Sequence, residues 1–361
     1  MLTIDLDAIA ANCQRLRAEA ANAEVAAVVK TNAYGLGVAP VAQRLAAHGA
    51  TTFFVAHPGE GAQLRAIADP QLAKCRVYVL GGLSGEPAAA LLDLNLTPVL
   101  ATRADVEAWT EAARLAGRAL PCALHIDTGM NRLGLPIAEA ERLAADPSGL
   151  GIELVMSHLA CADEPAHPMN EAQAAGFAGV RALFPHARAS FANSCGIFLG
   201  SRYHYDLVRP GMALYGLNPA PGRPNPMKPA LRLDAPILQI RQIDKGESVG
   251  YGATYRAGGT ITAATIGVGY GDGFPRALSN KGWGHLRGCR VPIIGRISMD
   301  LLTLDVTGVS PQPRVGEAIE LIGPNITAEE VAAAAGTAGY EILTNLGPRY
   351  ARRYIGARGV L

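Results

Sequence analysis

A lysine closes an apolar run. Val25-Ala26-Ala27-Val28-Val29 leads into Lys30, and Thr31-Asn32-Ala33-Tyr34-Gly35-Leu36-Gly37 follows. The run lacks polar side chains and is flanked by turn formers, so it reads as a buried strand. A lysine where such a strand leaves the core is partly desolvated, which lowers its pKa and frees an amine for carbonyl chemistry. The same side chain could instead snorkel to water, as lysines at strand ends usually do. Other reactive residues follow other apolar runs: Asp127, Thr128, Asn131 and Arg132 after 122–126, His158 after 152–156, Asn193 and Ser194 after 188–191, and Arg209 after 206–208. Taken singly, Arg132 fits a surface cation and His158 a satisfied core histidine.

The set has a chemistry that its members lack. A desolvated lysine can form a Schiff base. Ser194, Tyr34 and the backbone amides around Gly211 could hold a phosphate without a metal. An arginine such as Arg209 at a strand end could meet a planar aromatic or its ring nitrogen. Together these suggest a pyridoxal phosphate site. Competing chemistries fit less well. Gly267-Val268-Gly269-Tyr270-Gly271-Asp272-Gly273 does not match the dinucleotide fingerprint, and no phosphate-loop Gly-Lys-Ser/Thr or Gly-x-Ser-x-Gly elbow occurs. His158, Asp163, Glu164 and His167 match no metal-binding spacing, so no metal is expected.

Such residues need elements that bring them to one rim. Eight strand-like runs, at 25–29, 52–56, 76–80, 97–100, 122–126, 152–156, 188–191 and 206–208, alternate with alanine-rich amphipathic stretches such as 38–48, 104–116, 138–145 and 169–184. That alternation predicts an N-terminal (β/α)8 barrel of the TIM type, whose active-site face is the rim where the strands end. A doubly wound open sheet is the competing arrangement. A helix over 6–21, with Asp5 as N-cap, could stand in for the missing last barrel helix. Residues 219–229 then hold five prolines in eleven positions, which continue neither a helix nor a central strand. Beyond them, short strand-like runs at 236–243, 248–251, 260–268, 290–294, 301–306 and 318–322 predict a mostly antiparallel β domain. Thr327 and Glu330 form a capping box for a helix through 335, and a second short helix is expected at 341–345. The expected domains are 1–222 and 223–361, with residues 1–5 able to pair with the second.

Composition narrows the class. The 361 residues are 49% apolar and 17% charged with a net charge of +1, so nothing draws the chain electrostatically to nucleic acid or a membrane surface. Six cysteines without a Cys-x-x-Cys pair fit reduced thiols. The N-terminus carries no signal-peptide pattern and no apolar stretch could span a bilayer, so a soluble, cytoplasmic protein is expected.

The motifs as a group resemble the alanine racemases, barrel-type pyridoxal 5'-phosphate enzymes. The resemblance lies in Val28-Val29-Lys30-Thr31-Asn32-Ala33-Tyr34-Gly35, 127–134, Ser157-His158-Leu159, Ala192-Asn193-Ser194, 208–216, 250–255, 269–273 and 295–300, in family order across nearly the whole chain. It implies that Lys30 holds the cofactor as a Schiff base and exchanges the α-proton on the D-alanine side. Tyr251, from the other subunit's β domain, would be the base on the L-alanine side, making the active site a property of a homodimer. Tyr34, Ser194, Gly211 and Met212 would cradle the phosphate, with His158 also at the cofactor, and Arg209 would face the pyridine nitrogen. Arg132 and the backbone of Met299 would take the substrate carboxylate and neighbouring cofactor groups. Tyr255 and Tyr270 would narrow the entrance, and Asp300 would order that region. His158 and Arg209 would supply the cationic or hydrogen-bonded neighbours a tyrosine base needs.

Three positions depart from the pattern. His125 stands where many members carry a carbamylated lysine that orients the motif arginine, so a neutral or cationic imidazole, or a bound anion, must support Arg132. Ser298 precedes Met299 where a cysteine is common. Residues 347–354 depart from members with a phosphate-binding tyrosine there, with Tyr350 as a candidate substitute. The implied function is interconversion of L- and D-alanine, supplying D-alanine for peptidoglycan. A broader amino-acid racemase acting on serine or lysine is the alternative. A non-catalytic pyridoxal-phosphate-binding protein or a fold-related decarboxylase fits less well, because the Gly-Tyr-Gly-x-x-Tyr pattern and the β domain point to racemases.

Overall fold

A computed structural model describes residues 1–147 and 149–356. Eight parallel strands close into a barrel. The first strand runs as Glu24–Val25 and Ala27–Val28. Its first half pairs with the last strand, Leu207–Arg209, and its second half with the next strand, Thr52–Val55. Arg76–Val79, Thr97–Leu100, Leu120–His125, Leu150–Met156 and Arg188–Asn193 complete the circle, each parallel to its neighbour. The pairing of the first strand on both edges distinguishes this closed sheet from an open doubly wound one. Inside lie Ala26, Val28, Phe54, Tyr78, Val99, Ala123, Leu154, Met156 and Leu207, with the Phe54 and Tyr78 rings stacked at 4.9 Å. The barrel is thus filled, and chemistry is confined to its rim.

Helices Val38–Ala47, Pro58–Arg65, Ala88–Asp93, Arg103–Ala116, Ile137–Ala145, Met169–Leu183 and Ser194–Ile197 follow successive strands. After the eighth strand comes only a 3-10 turn, Met212–Tyr215. Helix Leu6–Ala20 packs against that turn and against helices Val38–Ala47 and Ser194–Ile197, taking the place of a last barrel helix. The Asp5 side chain caps it by accepting from the Ala8 amide at 2.9 Å. Its buried Asn12 donates to the carbonyls of Leu214 (3.1 Å) and Lys228 (2.8 Å) and accepts from the Lys228 amide (2.7 Å), tying the proline-rich segment to the barrel wall.

The antiparallel sheet is built around one long strand, Leu231–Ile243. It pairs with Ala318–Ile322 along one stretch and with Ile261–Ile266 along another. Leu302–Asp305, Cys289–Ile294 and Trp283–Leu286 close the circuit back to Ala318–Ile322. The expected strand at 248–251 ends at Val249, and Tyr251 opens a 3-10 turn instead. Strand Leu2–Asp5 joins this sheet, antiparallel to Leu231–Ile243 and parallel to the C-terminal strand Arg352–Ile355. Thr327 and Glu330 form the capping box of helix Ala328–Ala335, and helix Gly339–Asn345 follows. Among the described residues, no helix is long and apolar enough to cross a membrane.

Candidate active site

Lys30 leaves the first barrel strand half-buried, and burial lowers its pKa; nearby Arg132 lowers it further while Glu60 opposes the shift. The segment after it is not an ordinary loop. Thr31, Asn32, Ala33 and Tyr34 all adopt left-handed backbone angles, with φ of 55°, 52°, 54° and 54°. Left-handed turns of L-residues cost roughly 1–2 kcal/mol per residue, so other bonds must hold this one. The amides of Gly35 and Gly37 donate to the carbonyls of Thr31 (2.8 Å) and Asn32 (2.9 Å). The Asn32 side chain accepts from the Val38 amide at 2.8 Å, and Glu60 accepts from the Thr31 amide at 2.6 Å. From the other domain, Arg352 donates to the Gly35 carbonyl at 3.2 Å and Tyr354 to the Leu36 carbonyl at 3.0 Å.

The turn carries Tyr34 onto the barrel interior, where its ring meets that of Tyr215 at 4.8 Å. Burial raises the Tyr34 phenol to about 12, with neighbouring Tyr340 adding to the shift, so it stays a hydroxyl. A Cβ at Gly211 would stand 2.3 Å from the Tyr34 Oη, so only glycine lets the hydroxyl come this close to the backbone. The Ser194 Oγ accepts from the amides of Gly211 (3.0 Å) and Ala213 (3.3 Å). Met212 opens the 3-10 turn beside them. Tyr34, Ser194, Gly211 and Met212 thus line one small polar corner able to hold an anion by hydroxyls and amides.

Arg209, at the end of the eighth strand, is buried. Its Nη1 donates to the Ser190 Oγ at 2.5 Å and its Nη2 to the Ser157 carbonyl at 2.6 Å. Among the described residues it joins no ion pair, and burial pushes its pKa down to about 9. It therefore keeps its proton at neutral pH, with no carboxylate among the described residues paired to it. The His158 Nδ1 lies 3.5 Å from its Nη2. Burial drives the His158 pKa well below its usual value, and Arg209 and Arg132 drive it further, so the ring is neutral. Of the two neighbours expected to favour a tyrosine anion, Arg209 is then the cationic one and His158 a hydrogen-bonding one. His125, at the end of strand Leu120–His125, is lowered to about 4 by burial and the same two arginines. That shift favours a neutral imidazole over a cationic one, with a bound anion as the other support open to Arg132. Arg132 is exposed, on a loop whose base is closed by bonds from the Asp127 amide to the Leu135 carbonyl (2.9 Å) and from the Leu135 amide to the His125 carbonyl (2.8 Å).

The β-domain residues form a separate cluster. Tyr251 is 71% exposed, Met299 54% and Tyr270 42%, so all three present side chains outward, while Tyr255 is half-buried. The amide of Tyr270 donates to the Ser298 carbonyl at 3.1 Å and that of Gly271 to the Met299 carbonyl at 2.8 Å. Arg349 pairs with Asp300 at 2.8 Å and Asp272 at 3.3 Å, so Asp300 braces these loops through an arginine the sequence reading did not single out. Among the described residues, no hydrogen bond, ion pair or ring contact joins Tyr251, Tyr255, Tyr270, Met299 or Asp300 to the side chains on the barrel rim. Among the described residues Tyr350 makes no hydrogen bond to the lysine turn and its buried hydroxyl has no partner, whereas the Tyr354 hydroxyl bonds the turn.

Several further supports escaped the sequence reading. Buried Gln173 accepts from the Ala160 amide (2.9 Å) and donates to the His158 carbonyl (2.9 Å) and the Thr128 Oγ1 (3.3 Å), while the Thr128 and Ser157 hydroxyls share a 2.7 Å bond. This network joins the ends of the fifth and sixth strands. A glutamine within a helix gives no local sign of such a part. Glu60 had a weak sign, an acid in the first turn after Pro58. Among the described residues, no group of three or more His, Cys, Asp or Glu could hold a metal ion. A desolvated amine, a hydroxyl-and-amide corner and a buried cation without an anion do fit pyridoxal phosphate.

Known proteins resemble this chain along nearly its whole length. Residues 4–219 match the family model for the alanine racemase N-terminal domain and residues 230–354 that for its C-terminal domain. The chain is 48% identical to the catabolic alanine racemase of Mesorhizobium japonicum, covering 99% of this chain and 93% of that one. It is 50% identical to the alanine racemase of Methylobacterium nodulans, covering 98% and 95%. The crystal structure of alanine racemase from Bartonella henselae, with covalently bound pyridoxal phosphate, superposes with a TM-score of 0.94 at 40% identity, over 98% of this chain and 99% of that one. With both family models matched in order and relatives similar along their full length, this chain belongs to the alanine racemase family.

Proposed function

We propose that this protein interconverts L- and D-alanine with pyridoxal 5'-phosphate held on Lys30. The observation that carries this reading is the pairing of a desolvated amine on the barrel rim with a buried arginine that joins no ion pair among the described residues. When bound, the cofactor draws electrons from the substrate's Cα–H bond and makes that proton exchangeable. Racemisation then needs a proton acceptor and donor on each face of Cα. Lys30 serves the face from which D-alanine loses its proton, and burial, by lowering its pKa, favours the neutral amine that accepts one. Tyr251 of the partner subunit serves the opposite face.

The other residues bind and orient. Tyr34, Ser194, Gly211 and Met212 hold the phosphate by hydroxyls and amides, and the neutral His158 ring packs beside the cofactor. Arg209 keeps its proton and so leaves the cofactor's ring nitrogen without one, which restrains side reactions. Arg132 takes the substrate carboxylate with the Met299 backbone of the partner subunit. Tyr255 and Tyr270 narrow the entrance, with Asp300 ordering it.

We read the chain as two units, 1–222 and 223–361, the second completing the site of another copy in a homodimer. The outward Tyr251, Met299 and Leu301 side chains support that reading. The six free thiols support a cytoplasmic location, and supply of D-alanine for peptidoglycan is the role we assign. Growth of a D-alanine auxotroph on this gene tests the role. Assays in both directions test the chemistry. Lys30→Ala should lose the absorbance of the lysine-bound cofactor and all activity. Tyr251→Phe should keep the cofactor and lose most racemisation; a Tyr251→Phe variant as fast as wild type would end the two-base reading. A series from alanine through serine to lysine measures breadth.

A further inference from the structure

Glu60 lies in the first turn of helix Pro58–Arg65, one barrel unit away from Lys30. Each of its carboxylate oxygens accepts one main-chain amide. Oε1 takes that of Thr31 and Oε2 that of Ala56, both at 2.6 Å. Thr31 is the first residue of the left-handed turn and directly follows Lys30. Ala56 directly follows the second barrel strand, Thr52–Val55. One carboxylate therefore bridges the ends of two adjacent strands at the point where the lysine emerges.

Two further facts give this bridge a bearing on Lys30 itself. The turn is strained at four successive residues, so its geometry persists only where bonds from outside enforce it. The Glu60 bond is the one nearest to the lysine. Glu60 is also the anionic group that opposes Arg132 and burial at the Lys30 amine. Both of its oxygens are committed to amides, so it is not placed to take a proton. Its negative charge instead favours Lys30 whenever Nζ has gained one.

We propose that Glu60 is a positioning residue for Lys30, capping the left-handed turn from which its side chain emerges. This rests on the reading of Lys30 as cofactor anchor and base. Glu60 bonds no described residue of the β-domain cluster, so its removal should act on the Lys30 face and spare the face served by Tyr251 of the partner subunit.

The test uses the cofactor-loaded protein with Glu60→Gln and Glu60→Asp. Glutamine keeps the size but offers one acceptor oxygen and turns an NH2 group toward an amide N–H; aspartate keeps the charge and both acceptors on a shorter arm. Misplacement of a reacting group by about 1 Å can cost roughly 100-fold in rate. Glu60→Gln should therefore lower kcat by roughly 10- to 100-fold, with Glu60→Asp recovering part of it. Proton transfer at Lys30 should become more limiting, so the isotope effect with α-deuterated D-alanine should rise and that with α-deuterated L-alanine should fall. Independently of turnover, the absorbance of the lysine-bound cofactor should titrate at a lower pH in Glu60→Gln, and cofactor should leave it faster. A Glu60→Gln protein with wild-type isotope effects and an unshifted absorbance titration overturns the proposal, whatever its rate. If glutamine prevents folding, Glu60→Asp decides on the same readouts, with shifts in the same direction expected. A wild-type protein that binds the cofactor but fails to racemise alanine would overturn the racemase reading instead, and the absorbance titration would still judge Glu60 as a support of the anchor.

Discussion

The Tyr354 hydroxyl donates to the Leu36 carbonyl at 3.0 Å, joining residues 318 positions apart. Together with Arg352, which bonds the Gly35 carbonyl, it clamps the lysine-bearing turn from the outside. A Cβ at Gly37 would meet the same hydroxyl at 2.1 Å, so the turn and the tyrosine are shaped to one another. The chain's own β domain thus holds its own lysine-bearing turn. Each such bond contributes about 0.5–1.5 kcal/mol. Tyr354→Phe should therefore release cofactor up to roughly tenfold faster, as followed by absorbance during dialysis, while the melting temperature of the apoprotein changes little.

Gly211 and Tyr34 are coupled by contact, since a Cβ at 211 would fall 2.3 Å from Oη and 2.9 Å from Cζ of Tyr34. Gly211→Ala should cost about 1–3 kcal/mol through displacement of the ring and weaken cofactor binding. In the Tyr34→Phe background the closest clash is gone. The double variant should then lose less than the sum of the two single losses, measured as cofactor dissociation constants in a mutant cycle.

Tyr251 faces outward, away from any described bond to the barrel rim. If the site is shared between subunits, Lys30→Ala should be inactive alone and Tyr251→Phe nearly so. Co-expressed, they should form hybrid dimers in which one site has both residues intact and the other has neither. Activity should return in the mixture and co-elute with the dimer. A mixture as inactive as its components would place both bases on one chain.

Buried His125 has its pKa lowered to about 4, against about 6.5 for a solvated histidine. Between those values the unfolded chain binds a proton that the folded one does not. Stability therefore rises with pH in this window and falls as pH drops through it, by about 2 kcal/mol between pH 7 and pH 5. The depressed His158 adds in the same direction. His125→Gln should flatten the acid side of a denaturation-midpoint profile, though its stability at pH 7 can differ.

The barrel and the lysine's place on its rim were legible because both follow from short-range pattern. Apolar runs separated by amphipathic stretches can bury themselves only as strands under helices, and the reactive residues come directly after those runs. Local hydrogen bonds were equally readable, as in the Asp5 cap and the Thr327–Glu330 box, since the partners lie within one turn of chain. The left-handed path of Thr31 to Tyr34 was not readable. None of those residues is a glycine, and what enforces the path comes from Glu60, 29 residues on, and from Tyr354. Nor were the charge states: a histidine at a strand end says nothing of its pKa until burial and two arginines surround it, as at His125 and His158. The sequence by itself determined which residues emerge on which rim, because strand spacing is local. Only the tertiary structure decided how Lys30 is held, which groups carry charge, and which residues stand apart in the β domain, because desolvation and long-range contacts exist only in the folded chain.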